Sequence, residues 1–128
     1  MTYHISKTVS KSFDQTIDVV TEELRKQGFG ILTDIDVRAT LKKKLNAEFR
    51  PYRILGACNP GFAHQALQLE DKIGTMLPCN VIVQQHEDGR VEVSAVDPIA
   101  SMQAIENPKL ANVAKQVRAL LERVMANL

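Results

Sequence analysis

A chain of 128 residues fits one domain, and folding at that size buries about two-thirds of the surface the unfolded chain exposes. Hydrophobic residues make up 45% and charged residues 24%, which excludes an intrinsically disordered chain. The formal charge of +1 excludes an overall field that would draw the molecule to nucleic acid or to an anionic membrane.

Residues 3–10 alternate loosely, Tyr3, Ile5, Lys7 and Val9 against His4, Ser6, Thr8 and Ser10, which predicts an edge strand. The stretch Met1–Lys7 lacks the apolar core of a signal peptide, and no apolar run approaches the roughly 20 residues of a membrane span. A cytoplasmic location is therefore expected, where cysteines are normally reduced. Ser12-Phe13-Asp14-Gln15 reads as a capping box, with Asp14 in the first turn favoured by the helix dipole. Phe13, Ile17, Val20 and Leu24 follow at helical spacing, and Gly28 suits a C-terminal cap.

Phe29, Ile31, Thr33, Ile35 and Val37 alternate with Gly30, Leu32, Asp34 and Asp36, as a strand with one buried face does. A short helix near 37–45 carries Val37, Leu41 and Leu45 on one side, with Asp36 as its cap and Asn46 as its stop. Lys42-Lys43-Lys44 reads as the wet side of that helix rather than as a phosphate patch. Arg50-Pro51 leads into the apolar strand Tyr52–Cys58, where a proline belongs at the start or on an edge.

That strand turns sharply into a helix. Asn59 suits the N-cap and Pro60 the first helical position, where a missing N–H costs nothing. The helix is expected to run to about Leu69, burying Phe62, Ala63, Ala66 and Leu67, with a loop over residues 71–78 after it. Val81-Ile82-Val83 and Val91-Glu92-Val93 flank Asp88-Gly89, the pair that favours a two-residue type I′ hairpin. That loop sets Glu87 opposite Arg90, Gln85 opposite Glu92 and Val83 opposite Ser94. Asp97-Pro98 and Asn107-Pro108 repeat the capping logic of Asn59-Pro60. The first opens a brief helix through Ile99, Met102 and Ile105. The second opens a long one striped by Leu110, Val113, Val117, Leu120, Val124 and Leu128, with Lys115, Arg118, Glu122 and Arg123 on its other side. No linker or repeat divides the chain. These elements predict a single α+β domain over residues 1–128, with a largely antiparallel sheet of four to five strands, helices packed on one face and a long C-terminal helix.

Three ordered stretches carry a resemblance: Gly28–Val37, Phe49–Pro60 and Leu77–Val81, with Ala95-Val96-Asp97-Pro98 in the same pattern. They resemble a bacterial and archaeal family known as domain of unknown function 302, and the likeness covers most of the chain. The resemblance implies a compact α+β domain that associates as a homodimer. It brings no established reaction, substrate or cofactor.

The residues that invite chemistry are the repeated dipeptides Cys58-Asn59 and Cys79-Asn80, each at a strand end. Free cysteines commonly pack as small hydrophobes, and asparagines commonly cap or turn the backbone. The sharper reading brings both thiols to the helix start at Pro60, where a thiol has a lowered pKa and where two thiols can cycle through a disulfide or take a soft metal. Their spacing is not Cys-x-x-Cys, and His4, His64 and His86 show no ligand spacing, so no metal site is expected. A third reading makes the corner an anion site, with the N–H groups of Asn59–Gly61 helped by Arg50, Arg53 or Tyr52. Asp34 and Asp36 share one side of their strand, yet Asp36 more simply caps the helix after it. With no catalytic constellation, whether the chain is an enzyme stays open. The leading expectation is a homodimeric binding or interaction module. Its small-ligand or anion site is formed by Cys58, Asn59, Pro60, Cys79, Asn80, Arg50 and Arg53, with no nucleic-acid or membrane partner. The alternative is a thiol-redox or metal-handling protein using Cys58 and Cys79.

Overall fold

The computed structural model describes residues 2–128. Its strands are β1 (His4–Val9), β2 (Gly30–Asp36), β3 (Tyr52–Cys58), β4 (Cys79–Gln85) and β5 (Val91–Val96). Its helices are α1 (Phe13–Lys26), α2 (Val37–Leu45), α3 (Pro60–Leu69), α4 (Pro98–Ser101) and α5 (Pro108–Ala126), with a single 3-10 turn at Ile73–Met76. The strands form one sheet in the order β1-β5-β4-β3-β2, every neighbouring pair antiparallel, so the α+β architecture has the expected sheet and the expected long last helix.

One face of the sheet carries the core. Leu55 and Ala57 of β3, Cys79, Val81 and Val83 of β4, and Val91, Val93 and Ala95 of β5 are buried there under Val20 and Leu24 of α1 and Val113, Val117, Leu121 and Val124 of α5. A smaller cluster of Ala66, Ile73, Met102, Leu110 and Ala114 ties α3, the 3-10 turn, the end of α4 and α5 together. Along α5 Leu121 rather than Leu120 is fully buried, together with Leu110, and on α3 Leu67 is 44% exposed rather than buried. The predicted loop over 71–78 hides one anchor, Ile73, which is fully buried.

The helix ends follow local chemistry. Ser12 and Gln15 form the reciprocal capping box, Gln15 N–H to Ser12 Oγ at 3.2 Å and Ser12 N–H to Gln15 Oε1 at 3.3 Å. Asp36 Oδ1 accepts from Ala39 N–H at 2.9 Å, and Asn46 ends α2 in the left-handed conformation. Asp97 Oδ1 accepts from Ile99 N–H, and its other carboxylate oxygen lies 3.1 Å from Arg118 Nε of α5. That pair is ionic and off the hydrogen-bonding direction, since Arg118 Nε has no hydrogen-bond partner. Asn107 caps α5 through Lys109 N–H at 3.1 Å, while its amide donates to the Leu69 carbonyl at the end of α3.

Two registers differ from expectation. Gly89 is at φ +91° and Asp88 is not at positive φ, so the hairpin cannot be type I′, which needs both central residues there. His86 N–H donates to Arg90 O and Gly89 N–H to His86 O, making a three-residue loop of Glu87, Asp88 and Gly89. The ladder moves by one residue: Val83 faces Val93, Gln84 faces Glu92 and Gln85 faces Val91. The reason is burial, because only this register puts Val81, Val83, Val91, Val93 and Ala95 on one face. In β2 a bulge between Ile31 and Thr33 breaks the predicted alternation. After it Asp34 and Asp36 pair with Leu55 and Arg53, while Ile35 pairs with Ile54 on the opposite face and is 46% exposed.

Candidate functional site

β3 and β4 end side by side at the start of α3. Cys79 opens β4 opposite Ala57, so Cys58, the next residue of β3, is its diagonal neighbour and falls in the alternate row with Gly30, on the side of Gly56 and Asn80. Both cysteines are free thiols and both line one cavity of about 30 Å³. Phe29 enters from the head of β2, Phe62 and Ala66 from α3, Leu77 and Pro78 from the loop before β4, and Met102 from the end of α4. Val113, Ala114 and Val117 of α5 close the far wall. A space of this size holds about one water or one ion, and its lining is apolar apart from the sulfurs and Asn59.

Pro60 takes the first position of α3 as its fixed φ requires, and Asn59 stands at the N-cap. The side-chain cap is absent, which corrects the expectation for Asn59. Its amide instead donates to the Gln27 carbonyl at 3.3 Å, binding the corner to the end of α1. Gly28 beside it lies at φ +86°, and a Cβ there would come 3.2 Å from Asn59 Nδ2. With no side chain capping it, the first turn of α3 keeps its partial positive charge.

The electrostatics of the Cys79 thiol also differ from expectation. Burial first, and a charge on the neighbouring Cys58 second, push the Cys79 thiol up to about 11. At 8% exposure Cys79 is a protonated core residue at neutral pH, not an activated nucleophile. Cys58 is half-buried.

The structure divides the other predicted site residues among distant places. Arg53 is five residues back along β3, about 16 Å away at the usual strand rise, and grips Asp34 through Nε at 2.7 Å. That guanidinium holds the Asp34 carboxyl below its ordinary value. Arg50 donates to Gln84 Oε1 at 2.9 Å and stacks over the Phe49 and Tyr52 rings. Asn80 is exposed on the opposite face of the sheet, in the row of Gly56. Cys58, Asn59 and Cys79 line the cavity, exposed Pro60 does not, and Arg50, Arg53 and Asn80 do not join them. Met102 and Phe29 were missed, because their side chains reach the corner only through packing.

The uncovered face of the sheet holds a second, wider concavity of about 430 Å³ between β1, β5 and β4. His4 Nδ1, Ser6 Oγ and Ser94 Oγ form a hydrogen-bonded chain along it, each link 2.7 Å. Cross-strand pairing runs a row of isoleucines beside it, Ile35 to Ile54 to Ile82, ending at Ser94 and Ser6. Among the described residues no three His, Cys, Asp or Glu side chains gather as a metal site, and no helix is long and apolar enough to cross a membrane.

Together these features define a small antiparallel α+β domain with a small, largely apolar cavity where its sheet passes into a helix. The chain belongs to the family described as Domain of unknown function DUF302, whose model matches residues 5–128. It is similar to the crystal structure of the uncharacterized conserved protein DUF302 from Bacillus stearothermophilus. The two share 27% identity with a TM-score of 0.92 over 99% of this chain and 98% of that one. No curated protein matches the chain.

Proposed function

We propose that the chain is a homodimeric small-ligand-binding domain whose site is the corner formed by Cys58, Asn59, Pro60 and Cys79. One observation carries this reading: two strand ends and a helix start enclose a cavity whose lining residues include the half-buried Cys58. The lining shifts the ligand class away from the anion expected of the helix start. No cationic side chain faces the corner, and Arg50 and Arg53 are engaged elsewhere. An uncharged sulfur-bearing wall suits a small apolar or soft ligand. Dimerisation is supported by the isoleucine row on the uncovered sheet face, since that row is only partly buried within one chain.

The test is a fragment and ion screen read by amide and methyl NMR shifts. The expected result is that hits shift Phe62, Ala63, Cys79 and Met102 together. Hits confined to other surfaces, or none at all, overturn the reading.

A thiol-redox role is the second reading, favoured because both cysteines are among the residues lining one cavity. It requires an external disulfide to oxidise the pair, releasing two thiols as the Cys58–Cys79 bond forms. Native protein that keeps both thiols in excess oxidised glutathione removes it.

A further inference from the structure

We propose that the concavity between β1, β5 and β4 on the open sheet face binds a neutral, hydroxyl-rich ring of monosaccharide size. The site is separate from the corner and shares no lining residue with it.

The concavity measures about 430 Å³, within the range of roughly 300–1,000 Å³ that small-molecule sites occupy. Strand register gathers its side chains from segments far apart in the chain. Ser6, Ser94 and Ile82 share one cross-strand row, and Glu92, Gln84 and Tyr52 share the next. Polar groups from three strands therefore surround the apolar side chain of Ile82.

Ser94 ends a hydrogen-bonded chain. Its Oγ lies 2.7 Å from Ser6 Oγ, which lies 2.7 Å from His4 Nδ1. Either hydroxyl can donate, and the imidazole can carry its proton on either nitrogen. When Nδ1 accepts, Ser6 donates to it and Ser94 donates to Ser6, leaving lone pairs on Ser94 for an incoming donor. When Nδ1–H donates, both hydroxyls turn round and Ser94 offers its own proton. Such a chain end suits a partner that both donates and accepts, as an alcohol does.

Charge narrows the class further. No lysine or arginine lines the concavity, so nothing there neutralises an anion. Its one carboxylate, Glu92, is 3.1 Å from His86 Nε2 and already engaged. Gln84 Oε1 accepts from Arg50, which leaves the Gln84 NH₂ as a donor, and exposed Asn80 offers both senses. Tyr52 and Ile82 supply apolar surface for the C–H groups of a ring. The isoleucine row runs over β2, β3 and β4 and meets the concavity only at Ile82.

The experiment is an amide and methyl NMR titration of the full chain with the methyl glycosides of glucose, galactose and mannose. Uridine and glucuronate serve as comparators. At least one glycoside is expected to shift Ser6, Asn80, Ile82 and Ser94 together and to saturate in the millimolar range. Ser94→Ala is expected to weaken that binding about fivefold, the loss of one net hydrogen bond. Asn80→Ala, at an exposed position that leaves the fold intact, is expected to weaken it as well. Absence of saturable shifts with every glycoside overturns the proposal, as do shifts confined to other surfaces. Tighter binding of uridine or glucuronate at these residues overturns the ligand class, and wild-type affinity in both variants overturns the site.

Discussion

Cys79 shows how burial decides the behaviour of one side chain. In the unfolded chain it titrates as an ordinary thiol, and in the fold it is pushed up to about 11 because a thiolate there would lie in apolar surroundings beside Cys58. The raised value means that the fold favours the protonated form. The stabilisation is therefore complete below the ordinary thiol value and is lost as pH climbs from there through about 11. Denaturation of wild type between neutral pH and the upper end of that window should show a loss on the order of 2 kcal/mol that Cys79→Ala does not show. Parallel pH curves for the two proteins would refute this. Gly56 illustrates the same closeness: a Cβ there would lie 2.1 Å from Thr33 Oγ1 and 2.8 Å from Pro78 Cγ, so no larger residue fits where the bulged strand and the corner loop press on β3.

At the scale of elements, the fold ties helix ends to places that sequence does not connect. Asn59 and Asn107 both begin Asn-Pro helix starts, and each sends its amide to the last carbonyls of another helix, α1 in one case and α3 in the other. Lys7 does this for α5. From the core side of the edge strand β1, its ammonium donates to the carbonyls of Met125 at 3.3 Å, Ala126 at 3.4 Å and Leu128 at 3.0 Å. A cation at a helix C-terminus satisfies free carbonyls and opposes the dipole, and a lysine on an edge strand discourages pairing with another chain. Lys7→Met keeps the apolar stem and removes the charge. It should cost about 1 kcal/mol and speed amide exchange over the last turn of α5. Unchanged exchange there would show that the contact does not hold the helix end.

At the scale of the molecule, the two faces of the sheet have different fates. The helices cover one, and the other keeps Ile35, Ile54 and Ile82 in a row with Ser94 and Ser6. Antiparallel sheets tolerate one wet face, but an apolar row across three strands suits a partner of the same shape. Light scattering should find the wild type at twice the monomer mass and Ile82→Lys at the monomer mass with its fold intact. A monomeric wild type, or a dimer indifferent to Ile82→Lys, would place self-association elsewhere or nowhere. The proposed self-association and the cavity are separable, because the cavity is walled by Val113, Ala114 and Val117 of α5 and the isoleucine row lies on the face the helices leave open.

Local chemistry alone determined the helix starts at Ser12, Asp36, Pro60, Pro98 and Pro108, the stop at Asn46 and the strands between them, because caps, prolines and apolar spacing act within a few residues. The hairpin register was also legible, since the valines of β4 and β5 share a face only with a three-residue loop; the Asp88-Gly89 pair drew attention away from them. Tertiary structure alone decided the rest. It inserted the bulge that turns Ile35 outward, separated Arg50, Arg53 and Asn80 from the corner, and brought Met102 to the cavity lined by Cys79. Strand order and helix packing set those distances, and neither leaves a periodic trace in the chain.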